Sequence, residues 1–225
     1  MERKNLLGLV GLLVGTAYAN ELGFEEKTGP LYVNTQLAHY SIEKSREEGE
    51  RDLVELVKVI GVEESWVYVE TGTWYEIGVD QTNSNVRQDP LVLDELIEIP
   101  IEQKYSFYHI HPKRETNPWL MNFPSDDDLG FCVMTGLFDP SGESSSNFES
   151  YVVTEHLIYK IECLKRVPLR EIFTPGRIAK AFVMERGQGL QLSLEPEALY
   201  EEAEEYVKRV NGGNSALKLS VRKIN

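Results

Sequence analysis

The chain has 225 residues, of which 41% are hydrophobic and 27% are charged, so it is long enough to bury one globular core. Its formal net charge of -14 argues against a nucleic-acid partner, because a surface that binds phosphates needs a positive field. The sequence contains two cysteines, Cys132 and Cys163, which are too few for a disulfide framework or for a zinc site built from CxxC pairs.

The first residues predict an export signal. A short charged start is followed by an uncharged run over residues 5–19 that is rich in Leu, Val and Gly and ends in Ala-Tyr-Ala. This pattern is typical of a secretory signal peptide, and the run is shorter than the ~20 residues that span a bilayer. We therefore expect residues 1–19 to be cleaved and the protein to be exported, secreted or periplasmic, with no membrane association unless the segment is retained as an anchor.

Two further expectations depend on this N-terminal prediction. Residues 20–30 are polar with glycine and proline, which indicates a linker into the folded part of the chain. In an exported chain Cys132 and Cys163 can pair as one disulfide, whereas a reducing compartment leaves two buried thiols. The sequence does not choose between these two states of the cysteines.

The folded part is expected to open with a helix and a hairpin. Over residues 41–60, apolar side chains recur with a period near 3.6 among many charges, and Gly61 follows, which predicts an amphipathic helix. The β-rich runs at residues 66–69 and 74–79 are separated by Thr-Gly-Thr and therefore predict a β-hairpin.

The middle of the chain predicts two strands, a loop and a helix. Residues 97–99 are a short β-rich stretch, and residues 105–111 alternate with aromatics until Pro112, which cannot continue a ladder. Residues 113–124 predict a loop. Ser125 is a favourable N-cap for a second helix, which begins with three aspartates that suit the positive helix end.

The remainder of the chain predicts strands, then two helices, then a possible last strand. In chain order these elements cover residues 151–153, 157–163, 171–184, 196–210 and 216–221. Helices and strands in this order predict an α/β fold, with a mixed β-sheet flanked by helices.

Two of the four histidines, His109 and His111, stand two residues apart at the end of a predicted strand. Such side chains point to the same face, so both imidazoles can ligate one metal ion while Ile110 is buried on the other face. An isolated pair is also compatible with surface or hydrogen-bonded histidines. A carboxylate from the helix that starts at Ser125 can complete the set, which leaves one zinc position open for water.

The two motifs together resemble the signature H-x-H-P…S-x-x-D of the JAMM (JAB/MPN) metallopeptidases: His109-Ile110-His111-Pro112 and Ser125-Asp126-Asp127-Asp128. The resemblance implies that His109, His111 and Asp128 bind a catalytic zinc ion. It also implies that Ser125 helps to hold the oxyanion of the tetrahedral intermediate. The implied fold is the cytidine-deaminase-like, MPN-type sandwich of the deubiquitinase-like isopeptidases over residues 31–165, with residues 166–225 as a C-terminal helical extension.

The loop between the two motifs departs from the family pattern. Twelve residues, 113–124, separate the proline from the serine, which is more than the family usually has. Such an insertion is tolerated in a surface loop. It leaves Asp126 and Asp127 as alternatives for the third ligand. Trp119 and Phe123 within the loop either line a substrate groove or anchor the loop on the core.

The family also uses an upstream glutamate as general base, placed after the first helix and at the start of the first strand. Glu64 fits this location best, and Glu63 and Glu70 are its rivals. Most glutamates in an acidic chain are solvated charges, so the choice of Glu64 rests on its position in the predicted fold.

The resemblance implies a zinc-dependent hydrolase. Zinc would lower the pKa of its bound water toward ~7, and the glutamate would take the proton as the water attacks a peptide or isopeptide carbonyl. The implied substrate is a protein or peptide, with a ubiquitin-like modifier conjugate as one form.

Two other interpretations of the same residues remain open. An MPN-like scaffold domain without catalytic activity would share the fold. A cupin uses the spacing H-x-H-x3-E, which His109, His111 and Glu115 satisfy, but residues 103 and 122 are not the glycines of that motif, and the predicted helices do not suit an all-β barrel.

Overall fold

The computed structural model describes residues 41–59, 63–80, 86–88, 104–112, 122–137, 148–163, 173–187, 196–214 and 216–224. The predicted signal peptide, the linker and the strand at residues 97–99 lie outside these residues, as do Glu115 and Trp119. Across the described ranges, no helix combines the length and the apolar character that crossing a membrane requires.

The described residues form one eight-stranded mixed sheet. Its strands are β1 Ser41–Glu43, β2 Glu64–Val69, β3 Thr73–Asp80, β4 Val86–Gln88, β5 Tyr105–Ile110, β6 Phe148–Val153, β7 Leu157–Cys163 and β8 Leu217–Lys223. The strand order is β1-β3-β2-β5-β6-β7-β8, and β4 pairs with β3 at one side. The β5–β6 pairing is parallel and the other pairings are antiparallel.

Within the described residues, four helices cover the two faces of this sheet: α1 Arg46–Val59, α2 Asp126–Leu137, α3 Thr174–Gly187 and α4 Pro196–Gly213. The apolar side of α1 packs in a core with side chains of β2, β3, β5, β6 and β7. Buried residues of α2, α3 and α4 form a second core with β6, β7 and β8. The predicted α/β class, a mixed sheet flanked by helices, is therefore confirmed.

The predicted hairpin is present as β2 and β3, which pair antiparallel along most of their length. Gly72 lies in the turn between them with a φ of 97°, in the left-handed region that glycine adopts at least cost. The glycine of the Thr-Gly-Thr sequence therefore predicts the turn, because the turn requires this backbone conformation.

Helix α1 begins later than the sequence analysis predicted. Ser41–Glu43 pairs with β3 as a strand, and the helix starts only at Arg46. The Glu48 carboxylate accepts from the Ser45 backbone N–H at 3.2 Å and from its hydroxyl at 2.8 Å, and the Glu48 backbone N–H donates to the Ser45 hydroxyl at 3.3 Å. This reciprocal capping box sets the first turn of α1.

The C-terminal residues contribute to the same sheet and the same core as the rest of the fold. Strand β8 pairs with β7 from Leu217↔Cys163 to Leu157↔Lys223. Phe182 of α3 and Tyr206 of α4 are both fully buried in the core that also contains α2 residues. The segment predicted as an extension is therefore built into the structure around α2.

Candidate metal centre

Strand β5 delivers the two histidines to the face of the sheet that carries α2. Its neighbouring residues Tyr108 and Ile110 are buried in the α1-side core, so alternation along the strand turns His109 to the opposite face. His111 follows the strand, and its backbone N–H donates to the Val153 carbonyl at 2.9 Å, which prolongs the pairing with β6. The two imidazole centroids are 4.9 Å apart with nearly perpendicular rings.

Helix α2 delivers Asp128 through a tight cap at its N-terminus. The backbone N–H and the hydroxyl of Ser125 each donate to Asp128 Oδ2 at 2.7 Å. The Asp128 backbone N–H donates in return to the Ser125 hydroxyl at 3.1 Å. Ser125 is thus the predicted N-cap, and it also fixes the direction of a buried carboxylate.

These elements bring His109, His111 and Asp128 together. Asp128 Oδ1 contacts His109 Nδ1, and Asp128 Oδ2 lies 3.2 Å from His111 Nε2. Each of the three side chains offers one donor atom, and these atoms lie within 4.8 Å of one another. Asp126 and Asp127, the alternatives for the third ligand, are exposed and lie outside this group.

The group fits a zinc ion by the chemistry and the proximity of its ligand atoms. His111 Nδ1 is buried without a hydrogen-bond partner among the described residues, while the Glu63 carboxylate lies 3.4 Å from His109 Nε2. The nitrogens that face Asp128 are the other two ring nitrogens, His109 Nδ1 and His111 Nε2. Two imidazoles and one carboxylate form a ligand set that suits zinc.

The electrostatics of the group are those of tightly coupled charges. Burial alone would lower the pKa of His109, but the charge and hydrogen bond of Asp128, with a contribution from Glu63, raise it to about 10. Burial alone would likewise raise the pKa of Asp128, yet His109 and His111 hold it well below its ordinary value. A cation at this position would replace the proton of His109 as the counter-charge of Asp128.

The structure places Glu63, rather than the predicted Glu64, beside the histidines. Glu64 pairs with Ile110 in the β2–β5 register and accepts a hydrogen bond from the Trp66 indole at 3.1 Å, so it faces α1. Glu63 Oε2 lies 3.4 Å from His109 Nε2. Glu70 is exposed at the hairpin end of β2, which is the end farther from His109.

Burial raises the pKa of Glu64, and the hydrogen bond from Trp66 lowers it by less. Burial would also raise the pKa of Glu63, but its contact with His109 and the charge of His111 lower it below the ordinary value. Glu63 is therefore ionised at neutral pH, which is the state that a general base requires.

Tyrosine hydroxyls support the segment that leads into Ser125, and the sequence analysis did not identify them. Tyr206 of α4 donates to the Pro124 carbonyl at 2.7 Å, and Tyr159 of β7 donates to the Asn122 carbonyl at 2.8 Å. Phe123 lies between these contacts with 1% exposure and packs against both tyrosine rings. This core position supports the interpretation of Phe123 as an anchor for the loop.

Helix α3 contacts the first turn of α2 through a glycine. A Cβ at Gly176 would lie 2.9 Å from the Asp126 Cβ and 3.2 Å from its Cα. The two helices therefore approach so closely at this point that a larger residue would displace the turn that carries Asp128. Both this contact and the tyrosines come from residues far away in sequence, which explains why the sequence pattern did not reveal them.

Among the residues that the structure describes, the remaining candidate His156 does not join the group. His156 lies in the turn between β6 and β7, where its Nε2 is 3.7 Å from a Glu155 oxygen. The cupin interpretation predicted an all-β barrel, whereas the described residues form a sheet with helices on both faces.

Comparisons with protein-family models, with curated proteins and with solved structures found no significant match. A function is therefore inferred from the residues of the candidate metal centre and their geometry.

Proposed function

We propose that the chain is a zinc-dependent hydrolase that cleaves peptide or isopeptide bonds, with His109, His111 and Asp128 as zinc ligands. The observation that carries the proposal is the His-His-Asp group, whose ligand atoms lie within 4.8 Å of one another and which has the Glu63 carboxylate beside it. The resemblance of both motifs to the JAMM signature, and with it an MPN-type fold, supports the same function.

The proposed chemistry divides the work between the ion and the protein. When bound, zinc would supply a Lewis acid that makes a water molecule nucleophilic near neutral pH. Glu63, which lies 3.4 Å from His109, accepts the proton of the attacking water and transfers it to the leaving amine. This step assigns to Glu63 the role that the sequence analysis predicted for Glu64.

Ser125 has a positioning role in this proposal. Its hydroxyl proton is donated to Asp128 Oδ2, so this hydrogen bond aims the carboxylate at the histidines. The oxyanion role implied by the resemblance would require the hydroxyl to leave Asp128 and turn to the substrate. Orientation of a metal ligand by an outer hydrogen bond is a common use of such a residue.

The substrate class and the location of the protein remain predictions from the sequence. The resemblance implies a protein or peptide substrate, including a ubiquitin-like modifier conjugate, and the N-terminal pattern predicts export. Neither prediction is used to assign the zinc ligands or the general base.

The test compares the same substitution at two adjacent glutamates, Glu63→Gln and Glu64→Gln. The full chain is depleted of metal with a chelator, reloaded with zinc and assayed on a library of linear peptides and lysine isopeptides. We expect Glu63→Gln to bind zinc normally and to lose activity by about 10²-fold or more, as loss of a general base does. Glu64→Gln, the matched control, should remain active.

Loss of activity in Glu64→Gln with retention in Glu63→Gln would return the base to Glu64. A wild-type protein that binds zinc and cleaves nothing in the library would instead favour the binding or scaffold domain.

A further inference from the structure

Two thiols face each other across the interface between α2 and β7. Cys132 lies on α2 and Cys163 ends β7, and their Sγ atoms are 2.8 Å apart although both are free cysteines. Because a disulfide bond is about 2.05 Å long, the two sulfurs need to approach by less than about 1 Å to bond.

The surroundings of the pair favour a reaction between the two thiols over a metal site. Among the residues that the structure describes, the group of three possible metal ligands contains neither cysteine. Cys132 is fully buried in the core below α2, whereas Cys163 is partly exposed at the end of its strand. The hydrogen bond with Cys163, followed by burial, holds the pKa of Cys132 well above its ordinary value, so Cys163 is the thiol that meets an external oxidant first.

We propose that Cys132 and Cys163 are a redox site and form an intramolecular disulfide that ties α2 to β7. The oxidant is a small or protein disulfide. The Cys163 thiolate attacks one of its sulfurs and releases the first thiol, and the Cys132 thiolate then attacks Cys163 Sγ and releases the second. Two protein thiols become one disulfide and lose two protons and two electrons, while the oxidant becomes two thiols.

The position of the bond connects it to the metal centre. Cys132 follows Asp128 by four residues on α2, which is about one helical turn, so the two side chains lie on the same side of the helix. A bond to β7 restrains the helix that carries Asp128 against the sheet that carries both histidines. This consequence rests on the proposed zinc site, and it predicts that the oxidised protein binds zinc more tightly.

The disulfide is tested first, on metal-free protein, so that its result is independent of the zinc site. The full chain is equilibrated in glutathione buffers from reducing to oxidising, quenched with acid, unfolded and alkylated, and its mass is measured. We expect two alkylated cysteines at the reducing end, none at the oxidising end, and a peptide pair joined through Cys132 and Cys163. Two alkylated thiols at the oxidising end, or glutathione adducts and dimers in place of the internal bond, would overturn the proposal.

The coupling is tested with a competing zinc chelator on the oxidised and reduced protein, with Cys163→Ser as the control that forms no internal bond. We expect oxidation to tighten zinc binding by about fivefold or more, a size typical of coupling between two sites, and to leave the control unchanged. Equal affinities would overturn the coupling but not the disulfide. A protein that binds no zinc in either state would refute the proposed function and the coupling, and the mass measurement would still decide the redox site.

Discussion

Both carboxylate oxygens of Asp128 make contacts in the site. The first turn of α2, which carries Asp128, therefore sets the geometry of the site. Oδ1 contacts His109, while Oδ2 faces His111 and accepts two hydrogen bonds from Ser125. Burial of a carboxylate costs little only when its charge is paired and its lone pairs are hydrogen-bonded. The cap of α2 and the candidate metal centre are therefore built from the same atoms.

This shared role predicts the effect of removing the Ser125 hydroxyl. Ser125→Ala should lower the free energy of unfolding by about 1 kcal/mol through loss of the N-cap, and it should weaken zinc binding because Asp128 is no longer aimed. Urea unfolding and competitive zinc titration measure the two effects. Ser125→Thr keeps the hydroxyl and should recover most of both; a threonine variant as impaired as the alanine variant would argue against the hydroxyl as the cause.

Glu76 makes a pH-dependent contribution that is separate from the metal. Burial, with the nearby charge of Glu64 as a smaller cause, raises the pKa of Glu76 from 4.5 to about 7. The folded state therefore binds more protons than the unfolded state between pH 4.5 and about 7, and stability falls as the pH rises through this window. Below the window the carboxyl is neutral in both states.

Glu76→Gln removes this penalty and should stabilise the protein above pH 7, while near pH 4 the gain should vanish. We expect a gain of about 1 kcal/mol above pH 7, after discounting the shift for partial exposure. Denaturant unfolding at both pH values measures it, with the exposed Glu70→Gln as control. A gain that is equal at the two pH values would mean that ionisation is not its cause.

The sequence could predict the histidine pair because alternation along a strand is a local property. The prediction that His109 and His111 lie together requires only that residues two apart on a strand share a face. To predict which glutamate lies beside His109, the register between β2 and β5 must be known, because a shift of one residue moves a side chain to the other face of a sheet. For this reason Glu64 fitted the sequence pattern, although Glu63 is the glutamate beside His109.

At the scale of elements, α2 is held from three directions. Its underside packs on β6 and β7, Gly176 of α3 contacts its first turn, and Tyr206 of α4 binds the carbonyl just before its cap. These contacts limit the positions that Asp128 can take relative to the histidines. Rigid support of this kind is what a preorganised site requires.

Tyr206→Phe tests this support with a minimal change. The variant leaves the Pro124 carbonyl without its buried donor, which should cost about 1–3 kcal/mol of stability and weaken zinc binding through the displaced turn. The control is Tyr151→Phe, which loses a hydrogen bond to Glu149 on the α1 side of the sheet. An equal loss of zinc affinity in both variants would show that general destabilisation, rather than the support of α2, is responsible.

The starts of elements were predicted less well than the elements themselves. The helical period extended over residues 41–60, yet Ser41–Glu43 is a strand because it pairs with β3 and because the capping box of Ser45 and Glu48 fixes the helix start. The capping box is readable from sequence. The edge pairing depends on β3, which follows later in the chain, and no local pattern shows it.

At the scale of the whole molecule, the sheet joins segments that are far apart in sequence. The parallel pairing of β5 with β6 and the addition of β8 to β7 both close long connections. Periodicity predicted these strands individually and indicated the α/β class, but it carries no information on which strands become neighbours. The division into residues 31–165 and a C-terminal extension was drawn from motif positions, whereas the core beneath α2 contains α3 and α4.

A chain truncated after residue 165 should therefore not fold. It lacks the α3 and α4 side chains of this core, including the fully buried Phe182 and Tyr206, and it leaves the edge of β7 unpaired. Circular dichroism and hydrogen exchange on the truncated chain measure the outcome. A cooperative thermal transition close to that of the full chain would show that the C-terminal segment is an appendage.

The central claim is that His109, His111 and Asp128 hold one zinc ion, and zinc stoichiometry tests it most directly. The full chain and two variants, Asp128→Asn and Asp127→Asn, are loaded with zinc, dialysed and analysed for metal. The variants make the same change in charge at adjacent residues, one in the buried group and one exposed. We predict about one zinc per chain in the wild type and in Asp127→Asn, and a loss of retained zinc in Asp128→Asn, because zinc needs its carboxylate ligand. Zinc retained by Asp128→Asn, or no zinc in the wild type, would contradict the claim.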